Sequence, residues 1–391
     1  MIKFGSVAVF SIPSGGWKPQ DENPPGVTLW NNYQIGDIAN ERSLGRKIQD
    51  RLWWLQPRRH PWANQVYGDR VIRDLEQVFV KFQPHLVIFE ELWLYRYLKR
   101  VKRYGCHTIY DAHNVEACLR QEMHKSLQGQ ELKATVESRL LLRQVKSIEC
   151  DFVRQVDQLW VCSENDANLF QKLYGTRLPI HVVANGVNVT DYESVRLSSS
   201  SLLPGLEPNP WTLVFTATFT HQPNRVAVQI LIDQIYPQLR KIYPQCRLIL
   251  VGRSPTPYMK EAAKLDSSIQ VTGTVPDIRP YLAVASVVIV PLFEGGGTRL
   301  KILEAFAASR PVVSTTKGAE GLSVRDGEHL LIRDTIEGLV AGVCQLWSDP
   351  SLGQKLADSA YQLVQSKYSW EAVGRRVEKT VQELLSREVQ R

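Results

Sequence analysis

The chain has few cysteines and no long apolar run, and each shortage excludes a class of protein. Its 391 residues include six cysteines, with no C-x-x-C pair and no histidine cluster at metal-ligand spacing. We therefore expect reduced thiols and no structural zinc. No stretch reaches 18 consecutive apolar residues, the length that a membrane-spanning helix needs. Met1-Ile2-Lys3 leads into a strand pattern and not into a signal peptide, so we expect a cytoplasmic protein.

The two common nucleotide-binding loops are also missing. There is no G-x-x-x-x-G-K-[ST], and no G-x-G-x-x-G stands between a predicted strand and a helix. The net charge of +7 comes without any signature of a nucleic-acid-binding module, so we expect no nucleic-acid partner. An apolar content of 43% and a charged content of 22% are those of a globular chain, and its length suffices for two domains.

Strand and helix patterns alternate along the chain, which predicts parallel sheets with helices on both faces. A serine- and proline-rich stretch without periodicity interrupts them and is the predicted linker. The predicted fold class is therefore α/β, with two doubly wound, Rossmann-like domains. The predicted parts are a first domain at 1–190, a linker at 191–210, a second domain at 211–368, and a closing helix at 369–391 that packs back towards the first domain. The predicted strands are 5–12, 85–89, 108–111, 158–162, 180–184, 212–216, 247–251, 268–271, 287–290 and 312–314, and a single long helix is predicted from 115 to about 156.

The most informative segment is VPLFEGGGTRLKILEAFAASRPVVSTTKGAEGL, from Val290 to Leu322. It predicts a buried strand, then the glycines Gly295, Gly296 and Gly297, then a helix. A glycine run costs backbone entropy unless something approaches the main chain closely. The start of the helix adds unpaired N–H groups and the positive end of its dipole.

Two cations stand where the helix dipole alone would favour acids. Arg299 and Lys301 in the first turn predict that an anion is held there, with a phosphate or diphosphate as the best candidate. Glu304 follows on the same helix face, where its carboxylate could accept hydrogen bonds from the vicinal hydroxyls of a ribose. The alternative is an ordinary loop beside a surface ion pair.

The segment resembles the donor-site signature of family 4 (group 1) glycosyltransferases, enzymes of the GT-B fold that use nucleotide sugars and retain anomeric configuration. Further segments resemble that family in the family's order along most of the chain. They are Asp111-Ala112-His113-Asn114, Cys162-Ser163-Glu164-Asn165-Asp166, Ala184-Asn185-Gly186-Val187-Asn188, Val251-Gly252-Arg253, Gly273-Thr274-Val275 and Ser369-Trp370.

The resemblance implies a retaining hexosyltransferase of polysaccharide biosynthesis that needs no metal and no cofactor. Its implied catalytic residues are His113, Arg299 and Lys301. Its implied donor-binding residues are Arg253, Gly273, Val275, Gly295, Gly296, Gly297, Thr298, Leu300 and Glu304. Arg253 either reaches a phosphate or ends a strand at the surface, and Glu320 is either an active-site carboxylate or a turn residue.

One departure from the family concerns the mechanism. The family usually has two glutamates separated by seven residues; Glu304 matches the second, but Gly296 stands at the first position, with Glu294 two residues upstream. The implied chemistry is front-face displacement, in which an oxygen of the leaving diphosphate helps to take the acceptor proton. Two alternatives remain: a nucleotide-sugar-binding protein without transferase activity, and a nucleotide-sugar epimerase on the same fold.

The segments expected to bind the acceptor are less informative than those expected to bind the donor. Residues 11–16 match the family's opening glycine loop, but DENPPGVTLWNNYQIGD does not resemble the helix that should follow, so we expect an atypical or shortened first strand–helix unit. The basic segment Leu92–Gly105 places apolar residues at helical spacing between five cations. It either docks at the inner face of a membrane, which would bring it to a lipid-linked acceptor, or is an ordinary helix with its apolar side in the core. A glycan or polysaccharide is the other expected acceptor.

Overall fold

A computed structural model describes residues 5–12, 26–40, 42, 44–52, 59–126, 132–197, 206–297 and 299–386. The chain divides into two compact units. The N-terminal unit comprises Met1–Val183 and Val377–Arg391, and the C-terminal unit comprises Ala184–Arg376. Residues 198–205 of the predicted linker lie outside the described residues, and the predicted domain limits stay predictions.

Within the described residues, the N-terminal unit contains the first six strands and eight complete helices. Its strands are β1 (Val7–Ser11), β2 (Val27–Asn32), β3 (Leu86–Glu90), β4 (His107–Ala112), β5 (Gln158–Val161) and β6 (Ile180–Val182). Its helices are α1 (Ile35–Asn40), α2 (Leu44–Arg51), α3 (Pro61–Gln65), α4 (Asp69–Phe82), α5 (Leu98–Val101), α6 (Glu116–Ser126), α7 (Leu132–Gln155) and α8 (Glu164–Tyr174), with 3₁₀ turns at Leu92–Tyr97 and Lys102–Tyr104.

Two parallel sheets make up this unit. Four strands pair in the order β3-β4-β5-β6, while β1 pairs in parallel with β2 as a separate two-stranded sheet. The predicted first strand is confirmed, but its partner β2 was not predicted. Residues 13–25 between them, which include most of the expected glycine loop, lie outside the described residues.

The predicted single helix from 115 to 156 was wrong. It is two helices, α6 and α7, that run antiparallel to each other. The first residue of α6 contacts the C-terminal half of α7, since the backbone N–H of Glu116 donates to Glu149 at 2.9 Å. The middle of α6 contacts an earlier residue of α7, since Lys146 donates to Gln121 at 3.3 Å. Residues 127–131 lie outside the described residues. Gly129 was the one strong turn signal in a continuous helical pattern, and a single glycine is tolerated in many helices.

The C-terminal unit contains the other six strands of the described chain. They are β7 (Thr212–Thr216), β8 (Arg247–Val251), β9 (Ile269–Val271), β10 (Val287–Val290), β11 (Val312–Ser314) and β12 (Leu331–Ile332). The helices are α9 (Glu193–Leu197), α10 (Gln222–Ile230), α11 (Tyr236–Ile242), α12 (Pro257–Leu265), α13 (Arg279–Ala283), α14 (Leu300–Ala307), α15 (Ile336–Ser348), α16 (Pro350–Leu363) and α17 (Trp370–Ser386), with a 3₁₀ turn at Val189–Tyr192 and π-helical turns at Leu231–Ile235 and Val364–Tyr368.

These strands form one parallel sheet in the order β12-β11-β10-β7-β8-β9. The first strand of the unit, β7, lies beside the fourth, β10, so the strand order reverses between them. β7 and β10 are buried along their whole length, as their continuous apolar sequences predict for strands covered on both faces. In open α/β sheets, ligands bind outside the carboxyl ends of the strands at this switch point.

The last helix, α17, contributes to both units. Its residues up to Arg376 group with the C-terminal unit, and those from Val377 group with the N-terminal unit. There, Val381 and Leu384 form a small apolar cluster with Ile109 and Trp160.

Near the switch point the backbone of β8 approaches the loop after β7 very closely. Gly252 has φ = +147°, and a Cβ atom on it would lie 1.7 Å from the carbonyl oxygen of Ala217. Gly252 is therefore required both by its dihedral angle and by the contact, which no side-chain rotation can relieve.

We predict that Gly252→Ala destabilises the chain by about 3 kcal/mol or more, because the backbone must move to admit the methyl group. Urea denaturation monitored by circular dichroism measures the difference. Gly374→Ala is the matched control: its Cβ meets nothing within 4 Å, and alanine favours a helix, so its effect should stay within about 1 kcal/mol. Equal stabilities for the two variants would contradict the requirement for glycine at position 252.

Candidate functional site

The glycine loop after β10 reaches the switch point in a conformation that needs glycine. Gly295 has φ = +94° and Gly297 has φ = +86°. A Cβ atom on Gly295 would come within 2.9 Å of Pro223, at the start of α10, so the loops after β10 and β7 touch. Gly296 lies between them, and the predicted site residue Thr298 lies outside the described residues.

Arg299 braces this loop. Its guanidinium donates to the carbonyl of Gly296 at 2.9 Å and to that of Gly295 at 2.6 Å. A third donation, at 3.4 Å, reaches the carbonyl of Lys317 in the second glycine loop. Arg299 thus holds together two loops that the sequence separates, in addition to placing positive charge beside them.

Lys301 links the glycine loop to the loop after β7. Its ammonium donates to Oδ1 of Asn224 at 3.0 Å and lies 4.2 Å from the ring centroid of Phe215. Asn224 is oriented by its own amide, which donates to the carbonyl of Thr218 at 2.9 Å. Burial, and then the nearby charge of Arg299, lower the pKa of Lys301 from 10.5 to about 7. A cation in this position is poorly compensated by the protein itself.

Glu304 lies one turn further along α14. It is partly buried, and burial raises the pKa of its carboxyl, although the charge of Lys301 and a hydrogen bond with Tyr192 oppose that rise. Tyr192 comes from the 3₁₀ turn that precedes α9. Leu300, the first residue of α14, is 46% exposed. The helix start therefore presents one apolar and two charged side chains.

The other predicted donor-side residues follow neighbouring strands. Arg253 is exposed, and its carbonyl accepts a hydrogen bond from the N–H of Phe219 at 3.1 Å, which joins the loops after β8 and β7. Gly273 follows β9 with φ = +71°, and Val275 packs partly against the core. All three lie at the carboxyl edge of the sheet, but Gly273 and Val275 follow a strand two places from the switch point.

The second glycine loop follows β11. A Cβ atom on Gly318 would lie 2.6 Å from the carbonyl oxygen of Val290, so this loop closes over the end of β10. Lys317 and Glu320 form an ion pair at 2.7 Å. This pairing favours the interpretation of Glu320 as a turn residue.

His113 belongs to the N-terminal unit. It is exposed after β4, with Nδ1 3.8 Å from a carboxylate oxygen of Glu91. Glu91 is held at φ = +74°, and its N–H donates to the carbonyl of Asp111 at 3.1 Å. Burial raises the pKa of Asp111 to about 6, against the opposing effect of His113. His113 is thus part of a strained, charged loop pair at the ends of β3 and β4.

Glu149, which the sequence analysis missed, organises the segment after His113. It is fully buried, and its carboxylate accepts hydrogen bonds from the N–H groups of Glu116 at 2.9 Å and Ala117 at 3.2 Å, in the first turn of α6. The hydroxyl of Tyr174 donates to it at 2.5 Å. Burial raises its pKa to about 7. A glutamate on the apolar face of a helix was the signal that could have identified it.

The structure brings together Gly295, Gly296, Gly297, Arg299, Lys301 and Glu304 at one switch point. Phe215, Asn224 and Tyr192 complete this cluster and were not predicted as site residues. Tyr192 and Asn224 lie 112 and 80 residues before Glu304 in the sequence, and no local pattern connects them to it.

Two kinds of feature are absent from the described residues. In that part of the chain no three His, Cys, Asp or Glu side chains come close enough to bind a metal ion. Within the same residues, none of the helices has both the length and the apolar character needed to span a membrane.

The basic segment Leu92–Gly105 turns its apolar side inward. Leu92, Tyr97, Leu98 and Val101 are buried in the core of the N-terminal unit. Two of its cations are paired, Arg100 with Glu76 at 3.1 Å and Lys102 with Asp157 at 3.5 Å. The interpretation as an ordinary core segment is therefore favoured.

Parallel sheets with helices on both faces define a class of α/β fold, and solved structures share that fold with this chain. Sucrose-phosphate synthase from Thermosynechococcus elongatus superposes with a TM-score of 0.67 over 97% of this chain and 89% of that one, at 16% identity. HepE of Anabaena, in complex with UDP-glucose, gives a TM-score of 0.62 over 92% and 87%, at 12% identity. The predicted α/β, GT-B fold is confirmed.

Sequence comparison then shows which family part of the chain resembles. Residues 210–349 match the family described as Glycosyl transferases group 1. Glycogen synthase of Mycobacterium tuberculosis is 27% identical over 245 residues, which are 60% of this chain and 56% of the relative. The phosphatidyl-myo-inositol mannosyltransferase of Mycobacterium leprae is 26% identical over 50% of this chain and 51% of the relative. The chain thus spans about half the length of the curated relatives it matches. The resemblance to group 1 glycosyltransferases is confirmed, and assignment to family 4 stays a prediction.

We predict that Lys301 titrates near pH 7, far below the exposed lysines, because its ammonium is desolvated and close to Arg299. Trace acetylation across a pH series, read by mass spectrometry, measures the midpoint. Glu304→Gln should lower the midpoint further, since the carboxylate favours the charged amine. A midpoint near 10.5 in the unaltered chain would contradict the burial of this group.

Proposed function

We propose that the chain is a retaining hexosyltransferase that moves a sugar from a nucleotide-sugar donor to a glycan, polysaccharide or lipid-linked acceptor. The observation that carries the proposal is the cluster at the switch point of the C-terminal unit. There, a glycine loop with two positive φ angles lies beside the start of α14 and the ammonium of Lys301. Exposed backbone and uncompensated positive charge suit a diphosphate.

The low pKa of Lys301 fits an amine whose protonated form is stabilised only when an anionic ligand binds beside it. Near neutral pH the free amine is only partly protonated, because it is desolvated and close to Arg299. A diphosphate beside it would restore the charge and draw a proton from solution, so binding should weaken as pH rises above about 7. The cation and the dipole of α14 would then stabilise the charge of the leaving diphosphate, and we propose that no metal is needed for this.

Glu304 and its surroundings fit the sugar of the nucleotide. Its carboxylate lies on α14, one turn beyond Lys301, and already accepts a hydrogen bond from Tyr192. Carboxylates can take two hydrogen bonds from vicinal hydroxyls, and we assign this role to Glu304 towards the ribose. Arg253, Gly273 and Val275, at the ends of β8 and β9, are assigned to the remaining phosphate and the base. Gly297, Thr298 and Leu300 are likewise assigned to the diphosphate.

Transfer with retention is proposed by front-face displacement. The bond from the anomeric carbon to the diphosphate oxygen breaks, the acceptor oxygen bonds to the same face, and its proton passes to the departing diphosphate. Arg299 acts by holding the loop that positions this diphosphate, through its hydrogen bonds to Gly295 and Gly296. His113 is proposed to contact the transferred sugar.

A second candidate function is supported by one observation. Gly296 stands where related enzymes carry a carboxylate, and Glu294, the nearest acid, is exposed. A protein that binds a nucleotide sugar without transferring it would fit this arrangement. Product formation separates the two functions, while donor binding is expected for both.

The proposed acceptors follow partly from the names of the relatives. Glycogen synthase is named for a polysaccharide, and the mannosyltransferase for a phosphatidyl-myo-inositol acceptor. Cytoplasmic localisation and peripheral contact with the inner face of a membrane both stay proposals. Because the apolar side of Leu92–Gly105 is buried, that contact would depend on exposed cations such as Lys99 and Arg103.

We predict that nucleoside diphosphates raise the melting temperature of the chain in the presence of EDTA. Lys301→Met should weaken binding about 10–100-fold, the effect of losing charge-assisted hydrogen bonds. It should not lower the melting temperature of the free protein, because the methionine keeps the contact with Phe215 and removes a desolvated cation. Lys241→Met, on the exposed surface of the same unit, is the control. No thermal shift with any nucleoside diphosphate would end the proposal.

We further predict that incubation with the preferred nucleotide sugar and an acceptor yields a glycoside with the anomeric configuration of the donor. Proton NMR of the anomeric signal during the first turnovers decides between retention and inversion. Binding without product, for every acceptor tried, would favour the non-catalytic alternative. An altered nucleotide sugar, formed without any acceptor, would favour an epimerase.

A further inference from the structure

A group of buried hydrogen-bond donors lies in the N-terminal unit, apart from the residues used above. The group, which we call the His60 cluster, consists of His60, Asn64, Trp93 and Arg120. His60 caps the start of α3, and Asn64 lies one turn later on the same helix. Trp93 follows β3, and Arg120 is on α6, which follows β4. The cluster is thus built beside the carboxyl ends of the strands, the edge at which α/β sheets bind their ligands.

His60 offers a donor that nothing in the described structure accepts. The residue is fully buried. Its Nδ1 accepts a hydrogen bond from the N–H of Trp62 at 3.2 Å, so the proton of the neutral ring is on Nε2. That Nε2 is buried and has no hydrogen-bond partner among the described residues. Burial, together with the charge of Arg120, lowers the pKa of His60 to about 3, so the ring is neutral at physiological pH.

Asn64 and Arg120 add two more donors of the same kind. Oδ1 of Asn64, which is 2% exposed, accepts from Arg96 at 3.0 Å, so its Nδ2 is the donor. This Nδ2 and Nε of Arg120 are both buried without a partner among the residues the structure describes. Trp93 joins the two sides: its ring lies 4.6 Å from the ring of His60 and 5.9 Å from the guanidinium carbon of Arg120.

Buried donors without acceptors are costly, at about 1–3 kcal/mol each. Three in one cluster indicate a missing partner more readily than three independent defects. All three are donors, so the complementary group is one that only accepts, which describes an oxyanion better than a sugar hydroxyl. The nearby Arg42 and Arg59 share the carboxylate of Asp50, at 3.4 and 3.7 Å.

The charge of Arg120 is opposed from its own helix. Glu116, one turn earlier, interacts electrostatically with it and is itself partly buried. Glu116 lies beside Glu91 and His113, at the loops after β3 and β4. Arg96 is occupied on the other side of the cluster, where its guanidinium lies 3.8 Å from the ring of Tyr67. Around the unpartnered donors, four arginines (Arg42, Arg59, Arg96 and Arg120) thus stand against the two carboxylates of Asp50 and Glu116, so positive charge is in excess among the residues named.

We propose that His60 Nε2, Asn64 Nδ2 and Arg120 Nε form a binding site for a phosphate group of the acceptor substrate. That the phosphate belongs to an acceptor rests on the proposed function, whereas the oxyanion site itself rests only on the geometry of the N-terminal unit. The three donors would recognise an acceptor by its phosphate. An acceptor without the phosphate would be rejected, because the three donors would stay unpaired.

The test is calorimetric titration of the full chain with inorganic phosphate, with a hexose 6-phosphate and with the unphosphorylated hexose. Phosphatidylcholine vesicles with and without a polyprenyl phosphate supply the lipid arm. The probe that binds shows whether the site takes free phosphate, a sugar phosphate or the phosphate of a lipid. Arg120→Gln should weaken the binding about tenfold or more. Asn64→Asp keeps the acceptor for Arg96 and turns the donor into an anion, so it should abolish binding.

Two controls keep the result specific. Arg103→Gln removes one exposed cation from the same unit and should change nothing. Lys301→Met disables the glycine loop of the other unit and should leave phosphate binding intact, so the phosphate is not being held there. Unchanged circular dichroism spectra and urea denaturation midpoints of the Asn64 and Arg120 variants report that their N-terminal unit is folded.

The outcomes are distinct. No binding of any phosphate probe, equal binding of the unphosphorylated hexose, or equal affinities of the Arg120→Gln and Arg103→Gln variants would overturn the site. Phosphate binding with no nucleotide binding by the unaltered chain would leave the site standing and overturn the proposed function instead.

Discussion

The candidate site depends on one partly buried, desolvated cation. The ammonium of Lys301 is held between the ring of Phe215 on β7 and the amide of Asn224 on α10, and it thereby ties the glycine loop to the strand beside it. Its desolvation is costly, and only a glycine at position 295 lets the two loops approach closely enough to keep it in place. The local structure thus preserves an unfavourable charge where the sheet order reverses, which is a typical sign of a functional site.

The two units treat the start of the helix at their sites in opposite ways. In the N-terminal unit, the carboxylate of Glu149 accepts the N–H groups at the start of α6 and neutralises the positive end of its dipole. In the C-terminal unit, α14 begins with Arg299 and Lys301, so its positive end is reinforced. The helix start after β4 therefore has its N–H groups bonded to a carboxylate of the protein itself. The helix start after β10 instead keeps a positive electrostatic potential that favours an anion. This difference supports the proposal that the C-terminal unit binds the nucleotide.

Much of the C-terminal fold could be predicted because its central strands are buried on both faces, and continuous apolar runs such as Val287–Val290 mark them clearly. The glycine loop and its cations were also visible, since they are contiguous. β12 was not predicted because it has only two residues. The break between α6 and α7 was not predicted because the helical pattern of the sequence continues across Gly129. The roles of Tyr192 and Asn224 could not be predicted, since each depends on a tertiary contact with a residue 77 or more positions away.

The path of α17 has a consequence for how the chain is made. The residues Val381 and Leu384, which pack on Ile109 and Trp160, are synthesised almost two hundred residues after the rest of the N-terminal unit. On the ribosome, that unit must wait with an apolar surface uncovered while the whole C-terminal unit emerges. The C-terminal sheet can close first, because its strands are contiguous in the chain. The first half of the protein to be translated is therefore the last to be finished.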